Sequence, residues 1–127
     1  MAEKMNAVVK VRPELGAVYQ QVDIPRIAPD EVLVKVRATS ICGTDVHIYK
    51  WDPWSQGRIG EKALPQTLGH EVAGEVVEIG PEVKRISVGD YISAETHIPH
   101  PGDLQALLCQ MHIGERMRIL GVDCNGA

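Results

Sequence analysis

Short valine-rich runs separated by proline and glycine turns dominate the amino-terminal part of this chain. Residues 7–11, 17–22 and 31–38 each alternate in character, as half-buried strands do. Residues 72–79 and 90–96 are predicted to form two further strands, with glycine-containing turns beside them. Many short strands and little helix predict a mainly β fold, in the form of a small β-barrel.

Helix is predicted at one place among these strands. Thr44 and Asp45 offer N-cap chemistry ahead of a short helix over 46–50. The following stretch, 51–68, contains two prolines and two glycines and has no sustained hydrophobic period. We therefore expect a long surface loop there, and loops of that length in a compact domain usually serve function.

Length, charge and cysteine content exclude several classes of protein. A chain of 127 residues, 44% of them hydrophobic, suffices for one domain with its own core but not for two. The net charge of −4 provides no basic face for nucleic acid. No apolar run is long enough to cross a membrane, and the amino terminus lacks a signal-peptide layout. The odd cysteine count indicates thiols or metal ligands in a cytoplasmic protein rather than a disulfide framework.

Three side chains are candidate metal ligands. Cys42 follows a predicted strand, and His70 and Glu71 lie side by side between the loop and the next strand. A thiolate, an imidazole and a carboxylate suit zinc, and three protein ligands leave a fourth position for water or substrate, as in catalytic sites. On spacing alone, however, a core cysteine and an unrelated histidine are the simpler interpretation.

The residues around these ligands favour the zinc interpretation. Cys-Gly-Thr-Asp-Val-His at 42–47, followed by Gly-His-Glu-Val-Ala-Gly-Glu-Val at 69–76, resembles the paired zinc signature of the medium-chain dehydrogenase/reductase family. Residues 48–56 are similar to a loop of the threonine dehydrogenases within that family, and 95–98 continue the likeness. The resemblance covers residues 5–99 continuously and resumes at about Met117. It implies a GroES-like β-barrel with short helices, the catalytic domain of the alcohol dehydrogenases.

The resemblance implies one catalytic zinc per chain, with Cys42 and His70 as ligands. Glu71 is either a third ligand or a carboxylate that exchanges with water, and a plain N-cap or salt bridge is the alternative. Asp45 is expected to accept a hydrogen bond from the far ring nitrogen of His70 and so to fix its tautomer. A helix cap is the other role open to Asp45.

A proton relay and a substrate pocket are also implied by the resemblance. Thr44 takes the proton of a substrate hydroxyl acidified by zinc, and His47 passes it towards solvent. Both residues fall on one side of a single helical turn, although His47 has the alternative of a solvated surface histidine. Trp51 and Trp54 wall the pocket, unless one of them packs the loop onto the barrel. His97 is expected to contact the substrate.

The carboxyl-terminal part departs from the family pattern. Most members close a structural zinc there with four cysteines, whereas this chain has, at the corresponding positions, His100, Asp103, Ala106 and Gly114. We therefore expect no zinc bound within 100–114. The same region predicts a helix over 104–111 and a last strand over 117–122.

The cofactor site of the family is the second departure. No Gly-x-Gly-x-x-Gly occurs in the sequence, so we expect 1–127 to be one GroES-like catalytic domain without its dinucleotide-binding domain. NAD would then bind only in a complete enzyme, and this chain alone would be inactive. Exposed apolar surface is expected to be covered by self-association or by a missing dinucleotide-binding partner.

The implied activity is oxidation of a small alcohol, with L-threonine as the substrate that the loop favours. Two alternatives remain open. One is a non-catalytic binding or assembly module, because the barrel also resembles the co-chaperonin GroES. The other is the catalytic domain of a sorbitol or butanediol type of dehydrogenase.

Overall fold

A computed structural model describes residues 3–127. Met1 and Ala2, part of the segment considered for a signal peptide, lie outside the described residues. The strands of the described part are β1 Lys4–Lys10, β2 Val18–Asp23, β3 Val32–Thr39, β4 Gln66–Thr67, β5 Val72–Ile79, β6 Tyr91–Ser93, β7 His97–Ile98 and β8 Arg118–Ile119. Its α-helices are α1 Gly43–Lys50, α2 Pro53–Arg58 and α3 Leu104–Leu107, and its 3₁₀ turns are Glu61–Ala63 and Met111–Ile113.

The strands form small antiparallel sheets. One has the order β2-β1-β4, another has the order β3-β5-β6, and β7 pairs with β8. The helices are short and connect the sheets rather than covering a parallel sheet. The prediction of a mainly β fold with short helices is confirmed.

The pairing of β3 with β5 positions the candidate ligands. Its register runs from Val32 opposite Ile79 to Thr39 opposite Val72, so the end of β3 and the start of β5 lie at the same edge of the sheet. A bulge interrupts the register where Val36 faces Gly74 and Ala38 faces Ala73. A Cβ added at Gly74 would lie 2.4 Å from the carbonyl oxygen of Lys35, so the two strands approach too closely there for a side chain.

A small hydrophobic cluster lies beneath α1. It joins Ile48 of that helix to Leu68, just after β4, and to Val122 near the carboxyl end. Because these residues are distant in sequence, the cluster ties the amino-terminal sheet, the first helix and the final turn together. No helix in residues 3–127 is long and apolar enough to cross a membrane.

The prediction of a surface loop over 51–68 is wrong. Asp52 caps α2, and Pro53 occupies the first turn, where a missing backbone N–H costs nothing. A 3₁₀ turn and strand β4 follow. Trp51 and Ser55 are buried, as is the segment 66–68, so this stretch is folded into short elements that are anchored in the core at both ends rather than a loop over its surface.

Two predicted helix positions and one predicted strand also need correction. The cap of α1 is Cys42 rather than Thr44 or Asp45, and Asp45 reaches back from the first turn to accept the Cys42 N–H. In the tail, α3 ends at Leu107 because Cys109 adopts a left-handed backbone conformation with φ 59°. The last strand is only Arg118–Ile119, since the chain turns back at Gly121, where φ is +73°.

Candidate active site

The structure brings the three candidate ligands together. One donor atom each from Cys42, His70 and Glu71 lie within 4.8 Å of one another. Cys42 lies between β3 and α1, and His70 and Glu71 lie between β4 and β5. The antiparallel pairing of β3 with β5 thus closes the long sequence separation between the two halves of the motif.

Cys42 is held by the first turn of α1. Its backbone N–H donates to Asp45 Oδ2 at 2.9 Å, which fixes the residue at the N-cap position. The amino end of a helix carries partial positive charge, and this favours a negatively charged group such as a thiolate beside it. The local sequence therefore fixes the Cys42 backbone at the amino end of α1 before any metal is considered.

His70 and Asp45 form a buried pair that is incompletely satisfied. The Nδ1 atom of His70 lies 3.7 Å from Oδ1 of Asp45, beyond hydrogen-bonding distance. Both atoms are buried without a hydrogen-bond partner among the described residues, and such atoms are rare in folded proteins. A histidine that ligates metal through one nitrogen needs an acceptor behind the other. The unsatisfied pair and the donor set both fit zinc.

The backbone before His70 is constrained. Gly69 has φ +101°, and a Cβ there would lie 2.7 Å from the carbonyl oxygen of Ala127. Only glycine adopts this conformation without strain. The turn at Gly69 therefore directs His70 inward, and a residue with a side chain at position 69 would strain this turn.

Glu71 is exposed and held by Ser40. The hydroxyl of Ser40 donates to Glu71 Oε2 at 2.8 Å, and its backbone N–H donates to the Glu71 carbonyl at 3.3 Å. Sequence reasoning missed Ser40, because the contact depends on the register of β3 against β5. One carboxylate oxygen is occupied by this bond, and the other remains available to a metal or to water.

A cleft of about 470 Å³ opens beside His70 and Glu71. Its other lining residues are small or polar: Ala38, Thr39, Ser40, Val72, Ala73, Ser93, Ala94 and Thr96. That volume is in the range of pockets for small organic molecules. Neither tryptophan lines the cleft, and His97 adjoins it only through its neighbour Thr96.

The two candidate relay residues lie on α1. Thr44 is half-buried, with its Oγ1 atom 3.9 Å from Cys42 Sγ. His47 is more exposed, and its Nδ1 atom pairs with a carboxylate oxygen of Asp52. Within residues 3–127, no hydrogen bond joins the Thr44 hydroxyl to the His47 ring. A proton passing between them needs an intervening group.

The three candidate residues of the substrate pocket, Trp51, Trp54 and His97, have different surroundings. Trp51 is buried, and the ammonium group of Lys10 lies 5.3 Å from the centre of its ring. Trp54 is partly exposed and packs against His47, with 5.7 Å between ring centres. The His97 Nδ1 atom lies 2.5 Å from Glu95 Oε1, and this hydrogen bond is the main reason that the pKa of Glu95 falls below its usual value.

The fold and these residues match those of a known protein family. The model of the alcohol dehydrogenase GroES-like domain matches residues 28–127. The chain belongs to this family. An alcohol dehydrogenase from Thermus sp. ATN1 superposes with a TM-score of 0.81 over 97% of this chain and 35% of its own, at 30% identity.

Two relatives that match nearly the whole chain are L-threonine 3-dehydrogenases. The chain is 54% identical over its full length to an L-threonine 3-dehydrogenase of Symbiobacterium thermophilum. It is 52% identical over 99% of its length to the L-threonine 3-dehydrogenase of Pyrococcus furiosus. In both cases it spans 35% of the relative's length. The resemblance to zinc-dependent alcohol dehydrogenases of the threonine dehydrogenase type is confirmed.

Proposed function

We propose that this chain is the zinc- and substrate-binding catalytic domain of an NAD-linked alcohol dehydrogenase that oxidises the secondary hydroxyl of L-threonine. The observation that carries the proposal is the meeting of Cys42, His70 and Glu71 donor atoms within 4.8 Å beside an open cleft. Support for the substrate comes from the likeness to L-threonine 3-dehydrogenases over nearly the whole chain.

Cys42 and His70 would hold a zinc ion, with Glu71 as a third ligand or as a carboxylate that alternates with water. When bound, zinc supplies a Lewis acid that lowers the pKa of a hydroxyl group in contact with it. Asp45 would accept a hydrogen bond from His70 Nδ1, which requires the 3.7 Å separation to shorten by less than 1 Å. Ser40 would hold the Glu71 carboxylate in one orientation through its 2.8 Å hydrogen bond.

Thr44 and His47 would move the hydroxyl proton to solvent. The Thr44 hydroxyl lies beside the Cys42 sulfur and is only partly exposed, which suits a group that receives a proton close to the proposed metal. His47 is on the solvent side of the same helix, which suits the final step. His97 would contact the substrate at the far edge of the cleft, next to Thr96.

The nicotinamide cofactor would be held mainly by residues other than these 127. The sequence has no glycine-rich phosphate-binding turn, and its relatives are about three times as long. We therefore propose that 1–127 is a single domain that works with a dinucleotide-binding unit. Self-association or such a unit would cover exposed apolar residues such as Ile41, which is 84% exposed. A reducing compartment, the cytoplasm, suits a Cys42 thiolate.

Metal content tests the proposal directly. The chain is purified without added metal and its zinc is counted by mass spectrometry, then replaced by cobalt to look for a thiolate-to-cobalt charge-transfer band. We expect about one zinc per chain and a band that Cys42→Ser abolishes. Cys109→Ser is the matched control, because Cys109 is an exposed thiol far from the cleft in sequence, and it should retain both signals.

The same measurement separates the catalytic domain from a non-catalytic GroES-like module. A module that only binds or assembles has no use for zinc at Cys42 and His70. Absence of stoichiometric zinc, or metal binding that survives Cys42→Ser together with His70→Ala, would contradict the catalytic proposal. A sorbitol or butanediol substrate would leave the metal result unchanged and would appear as preference for that alcohol in a complete enzyme.

A further inference from the structure

We propose that Asp52 is a positioning residue for His47, holding the imidazole in the tautomer that leaves its Nε2 atom free to accept a proton. The inference deepens the proposed function and rests on it only in taking that proton to come from the substrate hydroxyl. The pairing of Asp52 with His47 is itself a feature of the fold. The sequence pattern does not single out Asp52, because its contact with His47 depends on the turn between α1 and α2.

The two carboxylate oxygens of Asp52 have separate partners. Oδ1 accepts hydrogen bonds from the backbone N–H of Ser55 at 3.1 Å and from its hydroxyl at 3.2 Å, as the cap of α2. Oδ2 pairs with Nδ1 of His47. The cap hydrogen bonds to the first oxygen oppose any rotation of the carboxylate that would carry the second oxygen away from the ring. The Asp52 N–H also donates to the His47 carbonyl at 3.4 Å.

The pairing determines which nitrogen carries the proton. An ionised carboxylate only accepts hydrogen bonds, so Nδ1 of His47 must be the donor in this pair. In a neutral imidazole the other nitrogen, Nε2, then carries the lone pair. The His47 side chain is 55% exposed, so Nε2 remains accessible to a group that brings a proton.

Trp54 restrains the ring from a second direction. It lies in the first turn of α2, and its ring meets that of His47 at 5.7 Å with an angle of 50° between the planes. One helical turn therefore supplies both the carboxylate and an aromatic wall. The hydrogen bond with His47 is also the main cause that lowers the pKa of Asp52, with the Ser55 N–H second, so the carboxylate stays ionised over the neutral range.

Asp52→Asn tests the inference without removing the cap. Asparagine caps helices about as well as aspartate, and its oxygen must face the Ser55 N–H. Its NH₂ group then occupies the place of Oδ2 and donates to His47 Nδ1, so the ring proton has to move to Nε2. The measurement is a long-range ¹H–¹⁵N correlation of the histidine rings in the full chain, at a pH where they are neutral.

We expect the pyrrole-type and pyridine-type nitrogen signals of His47 to exchange places in Asp52→Asn, with the backbone amide spectrum of α2 otherwise retained. Asp123→Asn is the matched control, since it removes a carboxylate that pairs with Arg58 at the other end of α2, and it should leave the His47 spectrum unchanged. An Nε2–H tautomer in the parent chain, or an unchanged tautomer in Asp52→Asn, would overturn the inference. The spectrum is taken without metal or substrate, so failure of the zinc experiment cannot produce either result.

Discussion

Lys10 is a buried charge at the junction of β1 with α1. Its ammonium group donates to the carbonyls of Glu14, Gly16 and Tyr49 and lies over the ring of Trp51. The residue is 0% exposed, and burial lowers the pKa of its amine. The Tyr49 carbonyl belongs to the last turn of α1, where a cation is favoured by the helix dipole. One lysine thus links the first strand, the following turn and the helix that Cys42 caps.

Lys10→Met is expected to destabilise the fold. Methionine retains the length of the side chain but leaves the carbonyl oxygens of Glu14 and Gly16 without their donor, whereas the Tyr49 carbonyl keeps the Gly16 N–H at 2.8 Å. A buried acceptor without a donor costs about 1–3 kcal/mol. We expect the free energy of unfolding in urea to fall by about 2 kcal/mol or more. Lys84→Met, at an exposed position, is the control and should change it by less than about 0.5 kcal/mol. Equal effects of the two substitutions would show that Lys10 has no special role.

At the scale of elements, the segment between β7 and β8 is organised by an ion pair. Asp103 is buried and accepts the backbone N–H of Arg116 at 2.8 Å and its Nε at 2.6 Å. A Cβ added at Gly114 would lie 2.8 Å from Asp103 Oδ2, so this glycine makes room for the carboxylate. The pair spans the positions that correspond to the cysteine-rich segment of the family, and it joins the two ends of this segment as a cross-link.

This cross-link should be sensitive to acid. The Arg116 backbone N–H is the main cause that lowers the pKa of Asp103, so the folded protein holds the ionised form more strongly than the unfolded chain does. The resulting stability is fully present above the ordinary aspartate pKa and is lost as the pH falls through the lowered value. We expect amide protons of residues 103–116 to lose protection in acid before those of β5. Asp103→Asn should remove this pH dependence, whereas Asp30→Asn, at an exposed site, should retain it.

Some elements could be predicted from the sequence, because short segments of the chain carry the signals for them. Strand β5 was predicted with its observed bounds, because Val72, Gly74 and Val76 alternate with more exposed residues. Helix α2 carried its own signal in Asp52-Pro53, a cap followed by proline, but it has only six residues and no hydrophobic period. The contacts of Ser40 with Glu71 and of Asp52 with His47 depend on strand register and on a turn between helices. Neither is encoded in a residue pattern.

The candidate site lies where separate parts of the chain meet in the folded molecule. The segment between β3 and α1 contributes Cys42, and the segment between β4 and β5 contributes His70 and Glu71. Apolar side chains of α1 and the residue before Cys42 remain open to solvent beside it: Ile41, Val46 and Tyr49. Ile41 and Val46 line a second cleft of about 330 Å³ that also includes Leu68 and Ala127. The proposed metal site therefore has uncovered apolar surface next to it.

The 127-residue chain, supplied with zinc, is expected neither to bind NAD measurably nor to oxidise threonine. Hydride transfer requires the acceptor within about 3–3.5 Å of the reacting carbon, and dinucleotides are usually held by a glycine turn and a helix amino terminus that this sequence lacks. Calorimetry with NAD should give no binding heat. A turnover assay with threonine at alkaline pH, where the alcohol is more easily deprotonated, should stay at background. Threonine oxidation that disappears in Cys42→Ser would contradict the prediction, because these residues would then hold the cofactor by themselves.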